Sequence, residues 1–99
     1  MQDNNIVQQI EQFHAYMSRI ALAEKVSCIV SRQNDIKMWA NALLNIRVYR
    51  GYFTSEERIA IRQLQDIQNE LDRHKAELSQ EVYNEITKEL IKVILTPNS

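Results

Sequence analysis

The sequence predicts an all-α fold, a small helical bundle of about four helices, on three observations. One glycine and one proline in 99 residues leave almost no turn punctuation, so the links between elements are few and short. Apolar residues recur at three- and four-residue spacing along the chain, the pattern of helices that bury one face. Thr54, Ser55, Glu56 and Glu57 spell a capping box, in which the threonine and the glutamate satisfy each other's free backbone donors.

A first helix is capped by Asn4 or Asn5 and carries Ile6, Ile10, Phe13, Met17 and Ile20 in one stripe. The stripe then slips to Leu22, Val26 and Ile29, which either rotates the buried face or marks a bend. The run from Val26 to Ser31 is poor in strong helix formers, and a short strand is its alternative. Ser31 to Asp35 is a polar interval ending in two good N-caps, Asn34 and Asp35. Ile36, Trp39, Leu43 and Ile46 then predict a second helix from about Ile36 to Tyr49, closed by Gly51 in the left-handed conformation. The third helix starts at the capping box and holds Ala60, Leu64, Ile67, Leu71, His74 and Leu78 in a narrow seam. Ser79 caps a fourth segment with Val82, Ile86, Leu90, Val93 and Ile94, which stops before Pro97; without a break at Ser79, the third and fourth segments fuse into one rod. The result is two long helices and two short ones, with the pairing of long antiparallel hairpins as a dimer left open.

Composition bounds the function. A chain 44% hydrophobic and 25% charged reads as one globular domain spanning residues 1–99. Lone Cys28 forms no internal disulfide and supplies no zinc site, which suggests a reducing compartment. No apolar stretch reaches the roughly 18 to 20 residues of a membrane span, and the polar start from Gln2 to Asn5 lacks the basic residues of a signal peptide, so a cytoplasmic location is expected. A formal charge of −1 excludes a whole-domain basic field for nucleic acid. The charge is nonetheless uneven, with eight basic and four acidic residues from Arg19 to Arg62, and four against seven from Gln63 onward.

Chemistry is sparse. Cys28 lies between Val26 and Ile29 and reads as a buried thiol, and His74 as a core or interface histidine. A di-iron bundle needs two Glu-x-x-His motifs; here Glu70 precedes His74 by four residues and no second copy follows. One glycine builds no phosphate loop. No catalytic residue, metal or cofactor is assigned. Small helical-hairpin secretion substrates of about this length carry Trp-x-Gly at the central bend. Trp39, Ala40 and Asn41 stand in that place without the glycine, and Thr87 follows Tyr83 where those proteins have an acidic residue, so the chain departs from that family at both marks.

Two surfaces remain. Arg47, Tyr49, Arg50, Tyr52 and Phe53 surround the glycine, with Arg58 and Arg62 following a turn later. These are the residue types that dominate binding hot spots, although Tyr52 and Phe53 could equally staple the bend to the core. The second is the seam of Leu64, Ile67, Leu71, His74 and Leu78, which wants a helix beside it: the first helix, a partner helix or a second copy. The expected function is a non-enzymatic protein-interaction module, an adaptor, inhibitor or chaperone-like subunit. The alternative is a nucleic-acid-binding regulator that sets Arg47, Arg50, Arg58 and Arg62 against phosphates.

Overall fold

Helical periodicity is converted into helix almost throughout. The computed structural model describes residues 2–97, with the side chains of residues 2–4, 22 and 23 left aside. Among the described residues there are five α-helices and no strand: α1 (Gln2–Met17), α2 (Leu22–Ser31), α3 (Gln33–Arg50), α4 (Ser55–Arg73) and α5 (Gln80–Ile94). No helix is long and apolar enough to cross a membrane.

The boundaries differ from the sequence expectation where no strong local signal exists. Asn4 and Asn5 already lie inside α1, so neither caps it, and the residue before the helix lies outside the described residues. The slip in the apolar stripe is a bend: α1 ends at Met17, the amide of Arg19 donates to the carbonyl of Tyr16 at 3.0 Å, and α2 begins after Ala21 without a side-chain cap. Leu22, where the second stripe begins, has a side chain outside the described residues. The polar interval at Ser31–Asp35 does separate two helices, at Arg32 rather than at the expected caps. The amide of Arg32 donates to the carbonyls of Cys28 and Ile29, and its own carbonyl accepts from Ile36 at 3.0 Å. With φ −108° and ψ 15°, Arg32 is at once the C-cap of α2 and the N-cap of α3, a kink between the two helices. Asn34 and Asp35 are therefore interior residues rather than caps, and Val26 to Ser31 is helix rather than strand.

The strong signals hold. Gly51 ends α3 at φ 89°, in the left-handed region that glycine enters at low cost. Both arms of the capping box form: the Glu57 amide donates to Thr54 Oγ1 at 3.2 Å, and the Thr54 amide donates to Glu57 Oε1 at 2.9 Å. Ser79 does break the chain, accepting from the Val82 amide at 3.2 Å. The seam of α4 consequently stops at Leu71. His74 is the C-cap, and a 3-10 turn over Lys75–Glu77 separates it from Leu78.

Short links make successive rods alternate in direction, and side-chain contacts define their neighbours. Lys37 meets Glu85 and Arg47 meets Pro97, so α3 and α5 run side by side in the same direction. His14 reaches Asp66 at 2.8 Å, and Val7 and Glu11 share a groove with Glu56, Ile59 and Gln63, so α1 runs parallel to α4. Antiparallel to α4, α5 is joined to it by a polar staple: Gln68 Nε2 donates to Asp72 Oδ1 and Thr87 Oγ1, and the Tyr83 hydroxyl donates to the same Asp72 oxygen at 2.5 Å. Between these rods lies one apolar cluster. Trp39 and Leu43 of α3, Leu64 and Leu71 of α4, Ile86, Leu90 and Val93 of α5, and Ile10 and Ile29 are all fully buried in it.

Two tests follow from this framework. Thr54→Ala should lower stability by about 1 kcal/mol, read as a reduced denaturation midpoint, because a free donor at the start of α4 loses its acceptor. The hydrogen bond to the Asp72 carboxylate pushes the Tyr83 ionisation above the ordinary tyrosine range. The folded state therefore holds that proton more tightly, and the bond's contribution is present below the tyrosine range, about pH 10, and lost above it. An absorbance titration of Tyr83→Phe should lack the last-ionising tyrosine.

Candidate functional site

The last turn of α3 and the link to α4 hold most of the residues that the sequence singles out, and the structure divides them. Phe53 is 1% exposed and packs into the core, so it is a staple rather than a partner contact. Burial of the ring is what pulls the link down over the bundle. Arg50 is drawn inward with it: its guanidinium pairs with the buried Glu57 carboxylate, stacks over the Tyr52 ring at 4.8 Å and donates through Nε to the Tyr52 carbonyl. Arg58 donates to the Phe53 carbonyl at 3.0 Å, and Arg47 donates to the Pro97 carbonyl at 3.3 Å. Left facing water are Tyr49, at 92% exposure, half of Tyr52, and Arg62.

The seam is filled within the chain. Leu64, Ile67 and Leu71 are buried where α4 meets α1, α2 and α5, and Ala60 and Ile61 join them. His74 and Leu78 lie beyond the helix. His74 Nδ1 sits 3.0 Å from Glu77 Oε2, and its Nε2 lies 3.9 Å from Glu70.

One surface escaped the sequence reading. At 3.6 residues per turn, Asn34, Met38, Asn41, Asn45, Val48 and Tyr49 fall within a strip about 100° wide, and these are the exposed residues of α3. None carries a charge. The other helices each expose charged residues, such as Glu11 on α1, Glu24 on α2, Arg62 and Asp66 on α4, and Glu81 and Lys88 on α5. The charges that α3 does possess are turned sideways onto neighbours: Asp35 to Arg32 at 3.3 Å, Lys37 to Glu85 at 3.7 Å, Arg47 to the Pro97 carbonyl, and Arg50 to Glu57. Met38, Val48 and Tyr49 thus stand exposed on a helix face without charge, a composition found at the centres of interfaces rather than on ordinary wet surface. The missing charge at this spacing was present in the sequence as a signal.

Two grooves offer less. Gln9, Gln12, Phe13, Tyr16, Cys28, Ser31 and Arg32 line one between α1 and α2. There, burial pushes the Cys28 thiol above its ordinary range despite the lowering effect of Arg32, so this thiol is protonated and unactivated at neutral pH. The other, between α1, α2 and α4, is bordered by contacts within the chain: His14 Nε2 lies 2.8 Å from Asp66 Oδ2, and Lys25 and Arg73 pair with Glu70. Among the described residues, no group of three or more His, Cys, Asp or Glu side chains converges to hold a metal ion. Compared with protein-family models, with curated proteins and with solved structures, the chain matches none.

Substitution separates the staple from the surface. Phe53→Ala should cost about 3–5 kcal/mol of stability, as removal of a buried ring does. Tyr49→Ala should move the unfolding free energy by no more than about 0.5 kcal/mol. Equal effects in a chemical denaturation series would contradict this division.

Proposed function

We propose that the protein is a non-enzymatic protein-interaction module that works through the outward face of α3. The observation that carries this reading is the uncharged strip from Asn34 to Tyr49, whose flanking charges are already paired inside the chain. Covering such a strip desolvates no unpaired charge, which is what makes its burial against another protein favourable. Val48 and Tyr49 supply apolar and aromatic area at its C-terminal end, and Tyr52, fixed by the Arg50 stack, extends it past Gly51. A convex strip of this kind offers shape and contact area but no acid, base or nucleophile, so its role is binding.

This reading is preferred to the nucleic-acid alternative because Arg47, Arg50 and Arg58 already donate to the Pro97 carbonyl, to Glu57 and to the Phe53 carbonyl. A phosphate track would have to draw them away. No comparable diversion is needed for a protein partner.

Site-specific photo-crosslinking in the native cell tests the proposal. A crosslinker at Asn45 on the strip should give a discrete protein adduct, one at exposed Gln65 on α4 should not, and Val48→Glu should abolish the Asn45 adduct. Equal labelling from both positions would overturn it.

A further inference from the structure

We propose that the groove between α1 and α2 is a binding site for a small aromatic monocarboxylate, with Arg32 holding the anion and Phe13, Tyr16 and Cys28 walling the ring. The site uses none of the residues of the α3 strip and stands independently of the reading above.

The groove follows from how the two helices are anchored. Both α1 and α2 pack on α3 and α4 rather than chiefly on each other, and a cavity of about 330 Å³ stays open between them. That volume lies at the small end of the range for small-molecule pockets. Phe13 and Tyr16, one turn apart on α1, supply ring surface, the first buried and the second half exposed. Across from them α2 supplies Cys28, and one turn further on Ser31 and Arg32. A neutral thiol is a soft, polarisable wall that suits the edge or face of a ring.

Charge selects the ligand. None of the lining residues is acidic, and Arg32 is the one that is charged. Its guanidinium carbon lies 5.7 Å from the Phe13 ring centroid and 5.9 Å from that of Trp39, which seats the cation on aromatic surface beside the groove. Arg32 Nε is 3.3 Å from Asp35 Oδ2, whereas its two terminal nitrogens make no hydrogen bond among the described residues. Both members of the Asp35 pair are about half exposed, so water screens the pair and the guanidinium remains able to take a second anion. A carboxylate matches the free fork with two parallel bonds. Gln9 adds a neutral donor: its Oε1 accepts from Trp39 Nε1 at 2.8 Å, which fixes the amide and leaves the NH2 group to donate. A single cation with neutral donors suits a monoanion; a phosphate ester or dicarboxylate would find no second cation in the lining, and an amine would meet only Arg32.

Phenylacetate is the probe, and phenylacetamide its uncharged match in size and shape. An amide NMR titration of the unmodified chain should saturate with phenylacetate at a dissociation constant on the order of 1 mM, and phenylacetamide should bind at least about tenfold more weakly. Cys28 reports occupancy, since bound phenylacetate should slow its alkylation by iodoacetamide. Arg32→Gln should abolish the preference for the carboxylate, Arg32→Lys should keep part of it, and Tyr16→Ala should weaken both probes alike. Thermal melting by circular dichroism checks that each variant is folded. If Arg32→Gln does not fold, the ratio of the two probes on the unmodified chain decides. No saturable shift up to about 20 mM phenylacetate overturns the proposal. So do equal affinities for the two probes, a carboxylate preference that survives Arg32→Gln, or binding that leaves Cys28 alkylation unchanged.

Discussion

The fold hangs on a buried carboxylate. Glu57 is 2% exposed, and an ion so deep is tolerable only if it is paired and hydrogen-bonded. It accepts from the Thr54 amide at the start of α4 and from the Arg50 guanidinium at the end of α3, so one side chain closes both ends of the link. Gly51 supplies the left-handed turn between them, and Phe53 fills the space beneath. With the reversal held in this way, α3 is committed to α5, and α4 to α1 and α5.

The inward side of α4 shows how a narrow seam becomes a broad interface. Ala60, Leu64, Ile67 and Leu71 repeat at coiled-coil spacing, yet Ile61 and Gln68 are buried with them because α1, α2 and α5 close around the helix from different sides. Gln68 shows that polarity does not keep a residue out of such a place when donors find acceptors. Its amide bonds to Asp72 and Thr87 and ties α4 to α5. The apolar surface that a second helix could have used is consumed inside the chain.

What that packing leaves outside is the back of α3. The pairings of Asp35, Lys37, Arg47 and Arg50 serve the bundle, binding α3 to Arg32, to α5 and to α4. Their second effect is to clear the outer strip of charge. Surface ion pairs contribute little stability individually, and a strip cleared of charge is one that can be covered without stranding a buried ion.

Whatever depends on a few neighbouring residues can be read directly along the chain. The capping box at Thr54, the glycine end of α3, the Ser79 break and the helical periods are local bonds and local sterics, and each was legible. The bend after Met17 was visible only as a slip in phase, because it contains neither glycine nor proline. The polar interval at Ser31–Asp35 does divide two helices, but at Arg32, because the ladder through Arg32 starts α3 without using Asn34 or Asp35, good caps in isolation. Which way α3 faces is set by packing against the other helices. Both of its sides lack charge at helical spacing, Ile36, Trp39, Ala40 and Leu43 on one and Asn34, Met38, Asn41, Asn45 and Val48 on the other. Burying the first removes far more apolar area from water, an indole and two branched aliphatic chains against one thioether, one valine and three amides, so that side went into the core and the other was left facing solvent.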